Sequence, residues 1–442
     1  MMPDALTCDK IVMTANHTHH CINKALGVSF LEIGRDDTVM QYNFSARVRS
    51  VESSVVRDIL KLTQGKSIIS FAGGLPADEL FPIDAIREAS ERVFRQGPQA
   101  LQYGLTEGAV VLRERLAARM QANRGIESEA DEILVTSGSQ QAIDLYARAL
   151  LDPGDVVLVE NPTYLACLQV LGSYSARIIP VESDSNGMVP EDLAAKLKEH
   201  NPKFVYVVPT FSNPTGRVWS LERRQALLDL CREHEVLIFE DDPYGDLKFT
   251  DNKVPNIASL EGKTEERIVA YTSTFSKTVA PGLRTGWIVA DKQVIRMMAR
   301  AKQSADLHSS VLDQLILSEM LLPEVFDLDG HIRKLSSVYK ERMETMASEL
   351  QQEMWKDAKW NTPQGGMFFW VELPEGLDAQ ALLKVAVEKG VAFVPGMSFY
   401  AGEPNRNTMR LNYSFAQPSV IRTGMERLTE AASEFLGRYS GV

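Results

Sequence analysis

The chain has 442 residues, 44% hydrophobic and 24% charged, ordinary for a soluble globular protein and long enough for about two or three domains. A formal net charge of −12 leaves no basic excess to neutralise phosphates, which weighs against nucleic-acid binding, and no apolar run approaches the ~20 residues of a bilayer span. Four scattered cysteines, Cys8, Cys21, Cys167 and Cys231, are too few for a disulfide framework and point to a reducing cytoplasm.

Residues 1–41 are polar and irregular, with the cluster His17-Thr18-His19-His20-Cys21. No second ligand cluster of suitable spacing accompanies it, so an unstructured terminus is expected rather than a metal site. The segment carries neither a secretory nor an organellar pattern. Ser50–Gln64 places Val51, Val55, Ile59 and Leu62 at helical spacing, with Arg57 and Lys61 on other faces. A glycine-bearing turn at 70–76 follows, and Pro82-Ile83-Asp84 opens a helix predicted to reach Arg95.

From Ile133 a long α/β alternation begins. Strands are predicted at 133–136, 156–160, 178–181, 204–208, 236–239, 268–271 and 287–290, with a helix pattern through Leu151 after the first and another over about 163–172 after the second. Most of the strand runs are continuously apolar rather than alternating, as in a sheet covered by helices on both faces. This predicts a large doubly wound domain, whose ligands sit beyond strand C-termini. The pattern over Val294–Leu321 predicts one helix leading out of it, and Ile332–Met354 another. The remainder, with Gly365–Leu373, Ala392–Val394 and Met409–Asn412, reads as a smaller α/β domain.

The strand ends carry chemistry-bearing residues. Ser137-Gly138-Ser139-Gln140 opens a helix whose free N–H groups suit an anion, although Ser and Gly also cap ordinary helices. Tyr164, in Asn161-Pro162-Thr163-Tyr164, either stacks on a planar ring or packs at a helix start. Asn213, in Ser212–Gly216, either reaches a phenolate oxygen or belongs to a turn. Glu240-Asp241-Asp242 follow a buried run and are costly to bury without a positive partner, for which a protonated pyridine nitrogen or a metal would serve. Finally Ile268–Tyr271 leads to Thr272-Ser273-Thr274-Phe275-Ser276-Lys277 and then Arg284. A lysine emerging from a buried strand either suits Schiff-base chemistry or is a solvated residue of a surface turn, and Thr274 with Arg284 suits a phosphate. Together these describe a pyridoxal 5′-phosphate site.

These motifs resemble the fold-type I, class I and II aminotransferases, closest to the 2-aminoadipate and kynurenine aminotransferase branch and the aminotransferase domains of MocR-type regulators. The resemblance runs from about residue 42 to the C-terminus. It rests on FAGGLP at 71–76, LQYGLTEG at 101–108, SGSQQA at 137–142, NPTY at 161–164, SNPTG at 212–216, EDDPYGDL at 240–247, STFSKTVAPGLRTGW at 273–287, GGMFFW at 365–370 and MRLNY at 409–413. It implies an extension over 1–41, an N-terminal arm over 42–85, a large cofactor domain over 86–315 with a seven-stranded, mostly parallel sheet, and a small domain over 316–442.

Carried over by motif, Lys277 is the Schiff-base lysine and proton shuttle, and Asp241 pairs with the pyridine nitrogen. Asn213 and Tyr244 are partners of the phenolic oxygen, and Tyr164 stacks on the ring with a part in catalysis. Ser139, Gln140, Thr274 and Arg284 hold the phosphate, joined by Tyr103 from the second subunit of a homodimer with shared sites. Arg410 binds the substrate α-carboxylate, with Gly74, Asn213 and Tyr103 also against the substrate. Arg57, in Val56–Thr63, either binds a side-chain carboxylate or is a surface arginine paired with an acid. The implied activity is ping-pong transfer of an amino group between an L-amino acid (2-aminoadipate, glutamate, aromatic or branched-chain) and a 2-oxo acid such as 2-oxoglutarate. The alternatives are a lyase or decarboxylase on the same fold, or a MocR-like regulator, for whose DNA-binding domain the 1–41 segment is short and insufficiently basic.

Overall fold

Strands bounded by turn residues recur from Ile133 onward, and in the computed structural model all seven predicted runs pair into one sheet. The strands are β1 (Ile133–Thr136), β2 (Val156–Glu160), β3 (Arg177–Val181), β4 (Phe204–Val207), β5 (Leu237–Asp241), β6 (Val269–Thr274) and β7 (Gly286–Val289). Their order is β1-β7-β6-β5-β4-β2-β3. Only β7 runs antiparallel to its neighbours, with Gly286 opposite both Thr136 and Thr274. The C-terminal ends of β1, β2, β4, β5 and β6 therefore share one edge, beside the start of β7. The structure describes residues 42–49, 57–59, 61, 67–252, 254–264 and 266–439. The expected extension over 1–41 lies outside them, and of Ser50–Gln64 only Arg57–Ile59 and Lys61 are described, as helix.

Continuous apolar runs require cover on both faces, and the chain supplies it. On one face, Val157, Val159, Phe204, Tyr206 and Phe239 pack against helices Ser139–Leu150, Leu165–Ser173 and Lys292–Gln303. On the other, Leu158, Val205, Ile238 and Tyr271 meet helices Val110–Arg124, Pro190–His200 and Leu221–Glu233.

The expected single helix over 294–321 is two helices, Lys292–Gln303 and Val311–Met320. Between them Leu307 takes φ 68°, and the Ser310 side chain caps the second helix by accepting from Asp313 N. Wholly buried Lys302 explains the break: its Nζ donates to Gln141 Oε1 at 2.8 Å and to Asp306 Oδ2 at 2.8 Å, folding the chain back after one turn. The second helix then packs on Ile83–Arg95 and Val110–Arg124.

A second, antiparallel sheet has the order β8-β9-β11-β10, with β8 Lys359–Trp360, β9 Phe368–Glu372, β10 Val394–Pro395 and β11 Thr408–Asn412. Helices Leu328–Leu350, Ala379–Glu388 and Pro418–Tyr439 cover it through Tyr339, Leu382 and Met425. The described residues from Arg47 onward form one compact unit. Gly216, in the Ser-Asn-Pro-Thr-Gly loop after β4, binds the two sheets closely: it takes φ +66°, and a Cβ there would lie 2.7 Å from the Phe368 carbonyl oxygen of β9. Gly216→Ala meets both backbone strain and a clash, so we expect a stability loss of roughly 1–3 kcal/mol, read as a lower urea midpoint.

Candidate active site

The shared strand edge opens onto a cavity of about 810 Å³. It is lined by Arg57, Gly74, Ser139, Gln140, Tyr164, Asn213, Asp241, Tyr244, Thr274, Lys277, Arg284 and Arg410, every candidate residue except Tyr103. Tyr103 lies elsewhere on the surface, 79% exposed, with its ring edge-on to His308 at 5.7 Å.

The consecutive acids at the end of β5 divide by strand alternation. Glu240 accepts from Asn256 Nδ2, Ile257 N and Ala258 N at 2.9–3.0 Å, with the Arg224 guanidinium 3.9 Å away. Asp242 accepts from Tyr271 and Asn256 at 3.1 Å each, and Arg124 lies 3.6 Å off. Asp241 points to the other face. Its Oδ2 accepts from the Tyr206 hydroxyl at 2.7 Å, whereas Oδ1 is buried without a partner. Burial pushes its pKa up to about 7, the Tyr206 bond opposes that rise, and Asp242 adds to it.

Lys277 follows β6 in a turn set by Thr274, whose Oγ1 donates to Thr285 O at 3.0 Å and accepts from Ser276 N at 3.1 Å. The half-buried Lys277 Nζ donates to Gly74 O at 2.8 Å and lies 6.0 Å from the Tyr244 ring centre. Burial, with Arg410 and Arg284 nearby, lowers its pKa to about 8. Burial likewise raises Tyr244, opposed by its bond with Asn213, and raises Tyr164 to about 12.

An anion cradle faces them. Gly138 takes φ +86° and precedes helix Ser139–Leu150, and a Cβ there would lie 2.8 Å from Arg284 Nη2. Arg284 Nη2 donates to Ser137 O at 3.2 Å and Nη1 reaches Ser276 Oγ at 3.5 Å. Free helix N–H groups and a guanidinium together favour a phosphate.

Arg410, on β11, crosses from the second sheet. It is 3% exposed and gripped between the Phe368 and Phe399 rings, 4.3 and 5.1 Å from their centres. Nη1 donates to Asn213 Oδ1 at 2.7 Å and Nη2 to Ala72 O at 2.6 Å. Burial lowers its pKa to about 10, and no acid pairs with it among the described residues. Arg57 and Lys61 are exposed and line the same cavity, and Arg57 makes no ion pair among the described residues.

Four participants were not candidates: Ser276, Phe368, Phe399 and Tyr206. Ser276 adjoins Lys277, and Tyr206 is the one hydroxyl in Phe204-Val205-Tyr206-Val207, a signal that its buried oxygen needs a partner. Among the described residues no group of His, Cys, Asp or Glu is arranged to hold a metal. Nor is any described helix long and apolar enough to cross a membrane.

The chain matches the family aminotransferase class I and II over residues 66–428 and belongs to it. It is 42% identical to aromatic-amino-acid aminotransferase 1 of Thermococcus litoralis, over 88% of this chain and 94% of that one. The kynurenine aminotransferase of Pyrococcus horikoshii, solved with PMP, superposes with a TM-score of 0.84 at 42% identity, covering 89% of this chain and 97% of that one. The alpha-aminoadipate aminotransferase of Thermus thermophilus, solved with N-(5′-phosphopyridoxyl)-L-leucine, gives 0.83 at 36% identity, covering 89% and 98%. The fold is therefore fold-type I, and the family's cofactor is pyridoxal 5′-phosphate. The chain's own residues fit it: the orphaned Asp241 Oδ1 wants a protonated partner, and the glycine-lined cradle wants an anion.

In the apoprotein, the raised Asp241 pKa means the folded state holds a proton that the unfolded state has released between pH about 4 and about 7. Stability from this group is thus present at low pH and lost as pH rises through 7. Asp241→Asn, neutral throughout, should remove as much as ~3 kcal/mol of that fall. Urea titrations of both apoproteins at pH 4.5 and 7.5 measure it, and equal slopes would count against the burial argument.

Proposed function

We propose that this chain exchanges amino groups between an L-amino acid and a 2-oxo acid in two half-reactions, with Lys277 as the group that anchors the cofactor and moves the proton. The observation that carries the reading is convergence. A lysine with a lowered pKa, an acid with one orphaned oxygen and an unpaired buried arginine line one cavity at one strand edge.

Pyridoxal phosphate, when bound, supplies an aldehyde that condenses with amines and a ring that draws electrons from the substrate α-carbon. Asp241 Oδ1 would hold the proton on the ring nitrogen, keeping the ring cationic. Tyr244 and Asn213 would meet the phenolic oxygen, and Tyr164 one face of the ring. Ser139, Gln140, Thr274 and Arg284 would receive the phosphate, with Ser276 supporting Arg284. Arg410 would take the substrate α-carboxylate, exchanging contacts with Asn213 and Ala72 for that anion. Lys277 Nζ, lowered to about 8, is neutral in an appreciable fraction near pH 8, as a base at the α-carbon must be.

Arg57, which lines the same cavity, favours substrates with a second carboxylate, glutamate or 2-aminoadipate with 2-oxoglutarate as acceptor, while the size of the cavity leaves room for aromatic and branched side chains. We assign a homodimer in which Tyr103, exposed and remote from its own cavity, completes the neighbouring site. The arm at 42–85, the large domain at 86–315 and the small domain at 316–442 are the division this reading uses. A cytoplasmic location accords with the buried free thiols of Cys167 and Cys231.

Lys277→Ala should lose the holoenzyme's visible absorbance and nearly all turnover; retention of both would sink the assignment. In a screen of amino donors with 2-oxoglutarate, Arg57→Ala should lower kcat/KM for 2-aminoadipate and glutamate about tenfold or more while sparing leucine and phenylalanine. Equal effects on all four would remove Arg57 from the recognition of side-chain carboxylates.

A further inference from the structure

Tyr206 bonds to the site's acid but is not among the residues that line the cavity. It is fully buried, and its ring lies stacked on Phe239 at 5.7 Å between centres and 27° between planes. The register explains the meeting. Tyr206 of β4 sits opposite Phe239 of β5, so Asp241, two residues further along β5, lies diagonally across on the same face. The phenol spans that diagonal and donates to Oδ2 at 2.7 Å. No cation pairs with Asp241 among the described residues, and its Oδ1 has no partner.

We propose that Tyr206 is a positioning residue for the transamination chemistry: by holding Oδ2 it leaves Oδ1 as the only acceptor for a ring nitrogen, and by donating to the carboxylate it keeps their shared proton on that nitrogen. The inference rests on the reading of Asp241 given above. A lone buried carboxylate turns freely about its last torsion and binds a proton avidly, because nothing else offsets its charge. One hydrogen bond answers both problems. It fixes the plane of the carboxylate and favours its ionised form. The neighbouring groups do not substitute for Tyr206. Asp242 raises Asp241's proton affinity, and Cys167, which is buried, feels Asp241's charge but is not bonded to it.

The test is 15N NMR of holoenzyme reconstituted with pyridoxal phosphate labelled at the ring nitrogen. The wild type should give a protonated-ring signal. Tyr206→Phe, which keeps the packing against Phe239, should move that signal toward neutral pyridine and slow the amino-acid half-reaction roughly tenfold with little change in KM. Replacement of Tyr206 by 4-aminophenylalanine retains a weaker donor on an intact ring and should fall between the two, so a graded response survives even if the phenylalanine variant folds poorly. Asp241→Asn serves as the reference and should move the signal at least as far. If Asp241→Asn moves it and neither Tyr206 replacement does, the positioning role is wrong while the reading of Asp241 stands. If none moves it, both fall.

Discussion

The arrangement at this strand edge depends on a buried carboxylate, Asp241, with which no cation pairs among the described residues. Glu240, Asp241 and Asp242 are consecutive, and each would be costly in an apolar interior without compensation. Strand alternation sends the outer two to the face that holds Arg224, Arg124, Asn256 and the first amides of helix Ile257–Glu261. The middle one goes to the opposite face, where its hydrogen-bond partner among the described residues is a phenol. The fold thus satisfies two acids fully and leaves the third half-satisfied. In the function proposed above, a cationic ring would complete it and turn a cost to the empty protein into affinity for the cofactor.

A comparable economy joins the sheets. Asn213 leaves β4 and Arg410 arrives on β11, and the 2.7 Å bond between them crosses from one sheet to the other. Ala72 offers its carbonyl to the same guanidinium, and Gly74, nearby in the turn, accepts from Lys277. Glu160, at the end of β2, ties loops in the same way by accepting from Val208 N at 2.7 Å and Trp219 Nε1 at 2.8 Å. Burial pushes this glutamate up to about 7. Loops that carry site residues are therefore braced by buried polar groups rather than by packing alone.

The seven strands were legible because each is a short, largely apolar run followed by polar residues, and a sheet covered on both faces demands such runs. Each cavity residue alone has a structural use, and they were legible because several follow successive strand ends together, while Arg410, Gly74 and Arg57 came from the resemblance. What the pattern hides is contact. The helical period continues through 294–321, so nothing in it marks the break that Lys302 and Asp306 impose. Tyr206 looks like any strand aromatic until the register sets it beside Asp241. Phe368 and Phe399 are far apart in the chain, and only the fold closes them on Arg410.

Arg410 has one more consequence. Its guanidinium is largely buried between two aromatic faces, and its hydrogen-bond partners among the described residues are neutral oxygens. An arriving anion therefore meets a cation whose dehydration was completed during folding, so the energy of the ion pair appears largely as affinity. Such a site discriminates poorly among small carboxylates at this one point. If Arg410 takes the substrate α-carboxylate as proposed, acetate or formate in a buffer would compete for the same charge, and selectivity would have to come from the rest of the cavity.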